Sequence, residues 1–410
     1  MVLNYLWIAF FLIAFVVALI KLIVVGDTTV FPSIVNAIFG AARNGFEISL
    51  FLTGILAFWM GIMRIGEKGG IVKVLSVVIG PLFRRLFPSV PRNHPVMTPI
   101  VMNFSANLLG LDNAATPMGL KAMEGLQELN PDKKKASDAQ IMFLVLNTSG
   151  LTLIPINIMV YRAEAGAADP ADIFLPILLA TAFSTMVGLI AVGLKQRINF
   201  FDPVIIGYLV AIATLLGGGM WYLQTLDRET MQVVSANIAH VVLFSIIIGF
   251  ILLGWKNRVN VYESFVSGAK EGFQVAIKII PYLVAILTAI AAFRASGTLD
   301  LINQTISGTI ADMGGDTRFI PSLPVAFMKP LSGSGARGMM LDVMEAEGVD
   351  SFAGRLASVM QGSTETTFYV LALYFGSVNI KNSRYAVTYG LLADFAGIIA
   401  SIAIAYFFFG

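Results

Sequence analysis

Apolar positions along this chain collect into uninterrupted runs long enough to be whole membrane helices. The clearest cover residues 3–25, 173–194, 203–224, 234–255, 275–293 and 385–409. A spanning helix needs about 20 mostly apolar residues, so the pattern predicts an all-α, polytopic membrane protein. The first run has no basic stretch before it and reaches Lys21 without a small-residue cleavage site, so it reads as a retained helix and not as a secretory signal. The apolar stretch 71–87, which carries Lys73, Arg84 and Arg85, reads as an amphipathic interfacial helix.

The chain also repeats itself. A shift of 227 residues lays Ala42–Ile48 over Ala269–Val275, Gly70 over Gly297, Ser105 over Ser332 and Asn107 over Ser334. It also lays the run at 3–25 over the run at 234–255. Beyond these matches the second copy is about eleven residues shorter, and Asn147-Thr148-Ser149 falls on Ser363-Thr364-Glu365. The division predicted is a first repeat over 1–200, a connector helix over 201–230 and a second repeat over 231–410.

Four crossings are expected in the first copy, at 3–25, 46–66, 139–161 and 173–194, and about nine in the whole chain. With an even number per copy and one connector, the second copy must be inverted relative to the first. Charge placement agrees. The segment from Arg64 to Lys135 holds ten basic and five acidic residues, whereas Arg294 to Arg355 holds five basic and seven acidic. The first then faces the cytoplasm and the second the outside, with the N-terminus inside and the C-terminus outside.

Inverted repeats draw attention to interruptions, because secondary transporters bind solute where helices break in corresponding places of two halves. In the first copy a break is read at Asn103–Asn107, with a helix resuming after Thr116-Pro117. In the second it is read at Lys329–Gly335, with a helix from Ala336 or Arg337. Each looks like a re-entrant hairpin. A further pair of breaks lies at Asn147–Gly150 and Gln361–Thr367. Unwound backbone at membrane depth must be buried in protein or line a watery cavity, so the breaks are expected to converge.

These segments supply the candidate solute-binding residues. In the first copy they are Asn103, Ser105, Asn107, Asn113, Thr116, Asn147, Thr148 and Ser149. In the second they are Lys329, Ser332, Ser334, Arg337, Gln361, Ser363, Thr364, Glu365 and Thr366. Glu365 stands out, because an intramembrane carboxylate is costly and marks function by default, with Arg337 or Lys329 as partners. The competing reading is that Gly, Ser, Thr and Asn only let helices pack closely.

Composition changes the picture only by exclusion. Apolar residues make up 57% of the 410 positions and charged residues 13%. There is no cysteine, hence no disulfide or thiolate metal site. A net charge of +2 lends no support to nucleic-acid binding. No Walker loop, dinucleotide fingerprint or metal-ligand spacing is present, so no enzyme activity, cofactor or metal is expected. The partners expected are membrane lipids and a small-molecule or ion solute, and self-association stays open.

Finally, Met102–Gly119 resembles the signature region of the bacterial spore maturation protein A family. Lys329–Gly338 together with Gly362–Tyr369 resembles that of spore maturation protein B. The two resemblances cover nearly the whole chain and imply a natural fusion. They also imply the nucleoside-recognition or gate domain, a label shared with concentrative nucleoside transporters and the membrane part of ferrous iron transporter B. In spore formers the resemblance implies a role connected with spore core dehydration. The function expected is a solute transporter or permease for a small polar or anionic, nucleoside-like or other solute, with its site between the repeats. The alternative is a non-transporting scaffold or regulator of envelope, peptidoglycan or spore maturation processes.

Overall fold

Helices begin where the sequence supplies caps. Ser137 accepts from the Gln140 amide while the Gln140 side chain returns to the Ser137 amide, a capping box that starts a helix at Asp138. Asp202 accepts from Val204 N at 2.9 Å with Pro203 at the first helical position. Asp227 accepts from Thr230 N at 3.0 Å.

The computed structural model describes residues 2–91 and 94–410, without the side chains of residues 2, 3, 112–114 and 228. Its first eight helices are α1 Val2–Ile20, which continues as a π-turn over Lys21–Val25, α2 Val30–Gly69, α3 Ile71–Leu86, α4 Met97–Leu108, α5 Asp112–Leu129, α6 Asp138–Ser149, α7 Ile156–Glu164 and α8 Phe174–Lys195. Helix α9, Pro203–Gln224, follows. Eight more complete the chain: α10 Arg228–Lys256, α11 Val261–Ala295, α12 Thr298–Asp312, α13 Leu323–Met328, α14 Gly333–Glu347, α15 Phe352–Gly362, α16 Thr367–Ser377 and α17 Ala386–Phe409. The protein is all-helical.

The order of elements repeats on either side of α9. Each half runs through a long helix, a second long helix, an amphipathic helix, a hairpin, a broken pair and a final long helix. Gly70 and Gly297, matched by the 227-residue shift, cap α3 and α12 with φ of 89° and 83°. Both turns need the left-handed backbone that glycine adopts without penalty.

Among the described residues, seven helices are long and apolar enough to cross a membrane. The helices of the broken pairs α6/α7 and α15/α16 are each too short to join them, beside the about nine crossings expected from the sequence. On α9 only Ile205 and Leu223 are buried, while Ile206, Val210, Leu215 and Trp221 are exposed. So much outward apolar surface suits lipid and not water, and the chain is a multi-pass membrane protein.

The chain forms two compact units, and each takes segments from both sequence halves. One comprises residues 1–60, 157–170 and 269–361, the other residues 61–156, 171–268 and 362–410. The second unit is organised around α6, whose residues from Ala139 to Ser149 are all buried. Phe143, Leu144, Val145 and Leu146 join Phe83, Phe104, Val192, Val370 and Phe375 in its apolar core.

Some boundaries differ from the sequence reading. The crossings expected at 46–66 and 275–293 lie inside the much longer α2 and α11. Polar residues such as Arg43, Glu47, Lys270 and Glu271 end a hydropathy run without ending a helix, since Arg, Lys and Glu are good helix formers. Asn103–Asn107 is helical. The chain turns only at Leu109–Leu111, where Gly110 has φ of 71°. Helix α5 starts at Asp112 and passes through Thr116 and Pro117, the proline merely withholding one amide from the ladder. Helix α14 starts at Gly333 because Ser332 caps it, Oγ accepting from Gly335 N at 3.0 Å.

Candidate functional site

Two interruptions in one unit meet. Helix α6 ends at Ser149, and Gly150 turns the chain with φ of 56°. Helix α15 ends at Gly362 and α16 starts at Thr367. Glu365 N donates to Thr148 O at 2.8 Å. A Cβ on Gly150 would sit 3.0 Å from both Glu365 N and Glu365 Cγ. The break of the first half is thus pinned to the break of the second by a backbone hydrogen bond. Glu365 itself is exposed, and its carboxylate makes no ion pair among the described residues.

A polar core adjoins the end of α6. Asn107 Nδ2 donates to Asn147 Oδ1 at 2.7 Å, and Asn147 Nδ2 donates to Phe143 O at 2.9 Å. Asn103 Nδ2 donates to Ala115 O at 2.9 Å and to the Tyr374 hydroxyl at 3.2 Å. Asn103 is fully buried, and its Oδ1 has no hydrogen-bond partner. An unmatched acceptor inside a protein costs about 1–3 kcal/mol and asks for an explanation. Ser105 turns away from this group, bonding Val101 O at 2.8 Å and lying 3.3 Å from Ser76 Oγ on α3. Thr116 is partly buried.

A third cluster involves α17. Asp394 is 1% exposed and accepts from Thr367 Oγ1 at 2.6 Å. Ser363, Thr364 and Thr366 are buried beside it in the same unit, as are Thr148 and Ser149. The hydroxyls of Thr148 and Thr364 have no hydrogen-bond partner.

The other unit holds the remaining candidates. Lys329 is buried in the turn between α13 and α14. Ser332 caps α14 and lies 3.3 Å from Ser334 Oγ. The Arg337 guanidinium lies 5.3 Å over the ring of Tyr161. Gln361 reaches Gly333 O at 3.4 Å, and its Oε1 has no partner. Arg162, fully buried, donates to Val349 O and Asp350 Oδ1 at 2.9 and 3.0 Å and ties α7 to the loop between α14 and α15. This unit also has a cavity of about 330 Å³ bordered by Asn44, Glu47, Tyr161, Glu164 and Glu345. The side chain of Asn113 lies outside the described residues.

The model of the Gate family, described as nucleoside recognition, matches residues 49–168 and 276–381, over half of the chain. The chain belongs to the Gate family. Among its relatives, spore maturation protein B of Bacillus subtilis (strain 168) is 50% identical over 167 residues, which are 40% of this chain and 91% of that protein. Spore maturation protein A of the same organism is 42% identical over 149 residues, 36% of this chain and 76% of that protein. The match to the Gate family takes in both hairpins and both break regions, whereas α17 lies beyond its last residue.

Sequence reasoning missed three of the residues that this Gate-family structure gathers. Tyr374 carries no signal of its own in an apolar helix. Thr367 stands in the sequence at the edge of a break, outside the candidate site residues. Asp394 had a signal: it is the single charged residue between 386 and 409. The hydrophobic run around it hid it.

Proposed function

We propose that this protein is a membrane transporter or permease for a small polar solute, with its site where the interrupted helices of the two sequence halves meet. The observation that carries this reading is the Glu365 N to Thr148 O bond, with the buried Asn103–Asn107–Asn147–Tyr374 group alongside. Helices broken in corresponding places leave backbone groups that packing alone does not require, and such breaks hold solute in transporters. Neutral amides and a phenol offer both donors and acceptors, which suits an uncharged or weakly charged solute of the nucleoside class named in the family description.

In this proposal residues 1–200 and 231–410 are inverted repeats joined by the connector at 201–230. The protein lies in a bacterial cytoplasmic membrane with its N-terminus inside, and it carries out no covalent chemistry. A reporter inserted near Lys134 should be active only in the cytoplasm and one fused after Gly410 only outside. Both active on one side would reject inversion.

Purified protein in liposomes should take up a labelled solute chosen by thermal-shift screening of nucleosides, dicarboxylates and amino acids. The second reading, a non-transporting regulator of envelope or spore maturation processes, draws on the names of the two relatives. It would be preferred if no solute in the screen shifted unfolding and no flux were found.

A further inference from the structure

We propose that Asp394, with the hydroxyls of Thr148, Thr364 and Thr367, forms a binding site for a sodium-sized monovalent cation. The inference begins with placement. Asp394 is the one charged residue of the spanning helix α17, and it is almost wholly buried. Gly390 and Gly397 lie four residues before it and three after, so all three share one face of α17.

That face presses on both helix breaks. A Cβ on Gly390 would lie 2.9 Å from Thr367 Cγ2 and 3.6 Å from Thr148 Cγ2. A Cβ on Gly397 would lie 2.7 Å from Thr364 Cγ2 and 3.3 Å from Ser363 O. The two glycines therefore let the carboxylate helix approach the unwound backbone closely, and Thr367 Oγ1 closes to 2.6 Å from Asp394 Oδ2.

An independent observation points to a ligand. Thr148 is 0% and Thr364 3% exposed, and neither hydroxyl has a hydrogen-bond partner. A buried threonine on a helix ordinarily satisfies its hydroxyl on a carbonyl one turn back. Thr148 at the end of α6 does not, and Thr364 in the second break has no partner either, so two residues that border the Asp394 face of α17 keep buried, unmatched oxygen lone pairs.

The chemistry selects the ligand class. Every donor is oxygen, which suits a hard cation. Dedicated divalent sites commonly gather several carboxylates, but here there is one, and no group of three His, Cys, Asp or Glu residues occurs among the described residues. One negative charge with neutral hydroxyls balances one positive charge. The other charged residues on the packed helices are few. Helix α16 has none, α6 has Asp138 in its first turn and α8 has Lys195 in its last. Helix α10 carries Arg228, Glu229, His240 and Lys256.

The test uses the full chain in detergent and needs no solute, so it stands apart from the transport proposal. Thermal unfolding would be followed in sodium, potassium and choline chloride at constant ionic strength and at several pH values. Sodium should raise Tm saturably relative to choline, and Asp394→Asn should abolish the rise. Thr148→Val and Thr364→Val remove hydroxyls that make no hydrogen bond, so both variants should fold. Each should raise the half-saturating sodium concentration at least tenfold, and they decide the matter if Asp394→Asn does not fold. An unchanged sodium response in the threonine variants, or none in the native protein, overturns the proposal. Stabilisation that follows pH with no preference for sodium also overturns it and leaves a proton site.

Discussion

The hairpins α4–α5 and α13–α14 occupy the same place in the two halves, yet they treat polar residues in opposite ways. In the first, Asn103 and Asn107 stay inside a helix, their amides engaged by neighbouring side chains and carbonyls, and the turn itself is Leu109-Gly110-Leu111. In the second, Lys329 and Ser332 stand in the turn, and Ser332 starts the next helix. The N-terminus of α5 has no side-chain cap, whereas that of α14 does. The order of elements is the same while the chemistry differs, with neutral amides in one hairpin and a buried cation beside a helix N-terminus in the other.

Substitutions can break this comparison, the most damaging first. Gly150→Val places a branched side chain at positive φ and drives it into Glu365. Backbone strain costs about 1–3 kcal/mol and displacing the neighbour a similar amount. Sharply reduced Tm in detergent is expected, and near-native unfolding would mean that the two breaks are not pinned together.

Next comes a matched pair. A Cβ at Gly119 on α5 would sit 2.4 Å from the Tyr374 hydroxyl, against a stiff ring, so Gly119→Ala should cost about 1–3 kcal/mol. At Gly335 on α14 the obstacle is Met328 Cε, the far end of a flexible side chain, at 2.2 Å. Gly335→Ala should cost less than half as much in the same unfolding assay, and equal costs would erase the contrast in rigidity.

Ser332→Ala removes the cap of α14 and should cost about 1 kcal/mol, whereas Leu111→Ala removes no cap from α5. Hydrogen exchange at the first turns of the two helices would separate them, with protection falling at α14 alone.

The smallest effect concerns pH. Hydrogen bonds from the Val204 amide, and then the Arg85 guanidinium, hold Asp202 below the usual carboxylate range. A depressed value means that its stabilisation is complete above about pH 4 and fades as pH falls through the folded value. The neutral Ser137–Gln140 cap of α6 has no such dependence. Fraying of α9 below pH 4, read by hydrogen exchange, is expected, and Asp202→Asn should remove that pH dependence.

Much of this architecture was legible because apolar run length and glycine-anchored self-similarity report directly on bilayer physics. The shift linking Gly70 to Gly297 led to two left-handed caps. The start of α5 was not legible, because Pro117 signals an N-terminus but is tolerated inside the helix. The starts of α2 and α11 were hidden too, since charged helix formers look like loops to a hydropathy reading. For the site, the two breaks at the ends of α6 and α15 were visible as polar clusters, but their meeting through Glu365 N and Thr148 O is a tertiary fact. Asp394 shows the opposite failure, a residue whose oddity the surrounding run concealed.

Helix α9 buries only two of its residues and contributes little to any core. Its consequence is stoichiometric. Two relatives, of which this chain matches 91% and 76% of the length, are separate proteins. Here the sequence halves on either side of α9 are one chain, and a short covalent link gives two segments an effective concentration of the order of millimolar. The two halves are therefore always made in equal amounts, whatever the level of synthesis.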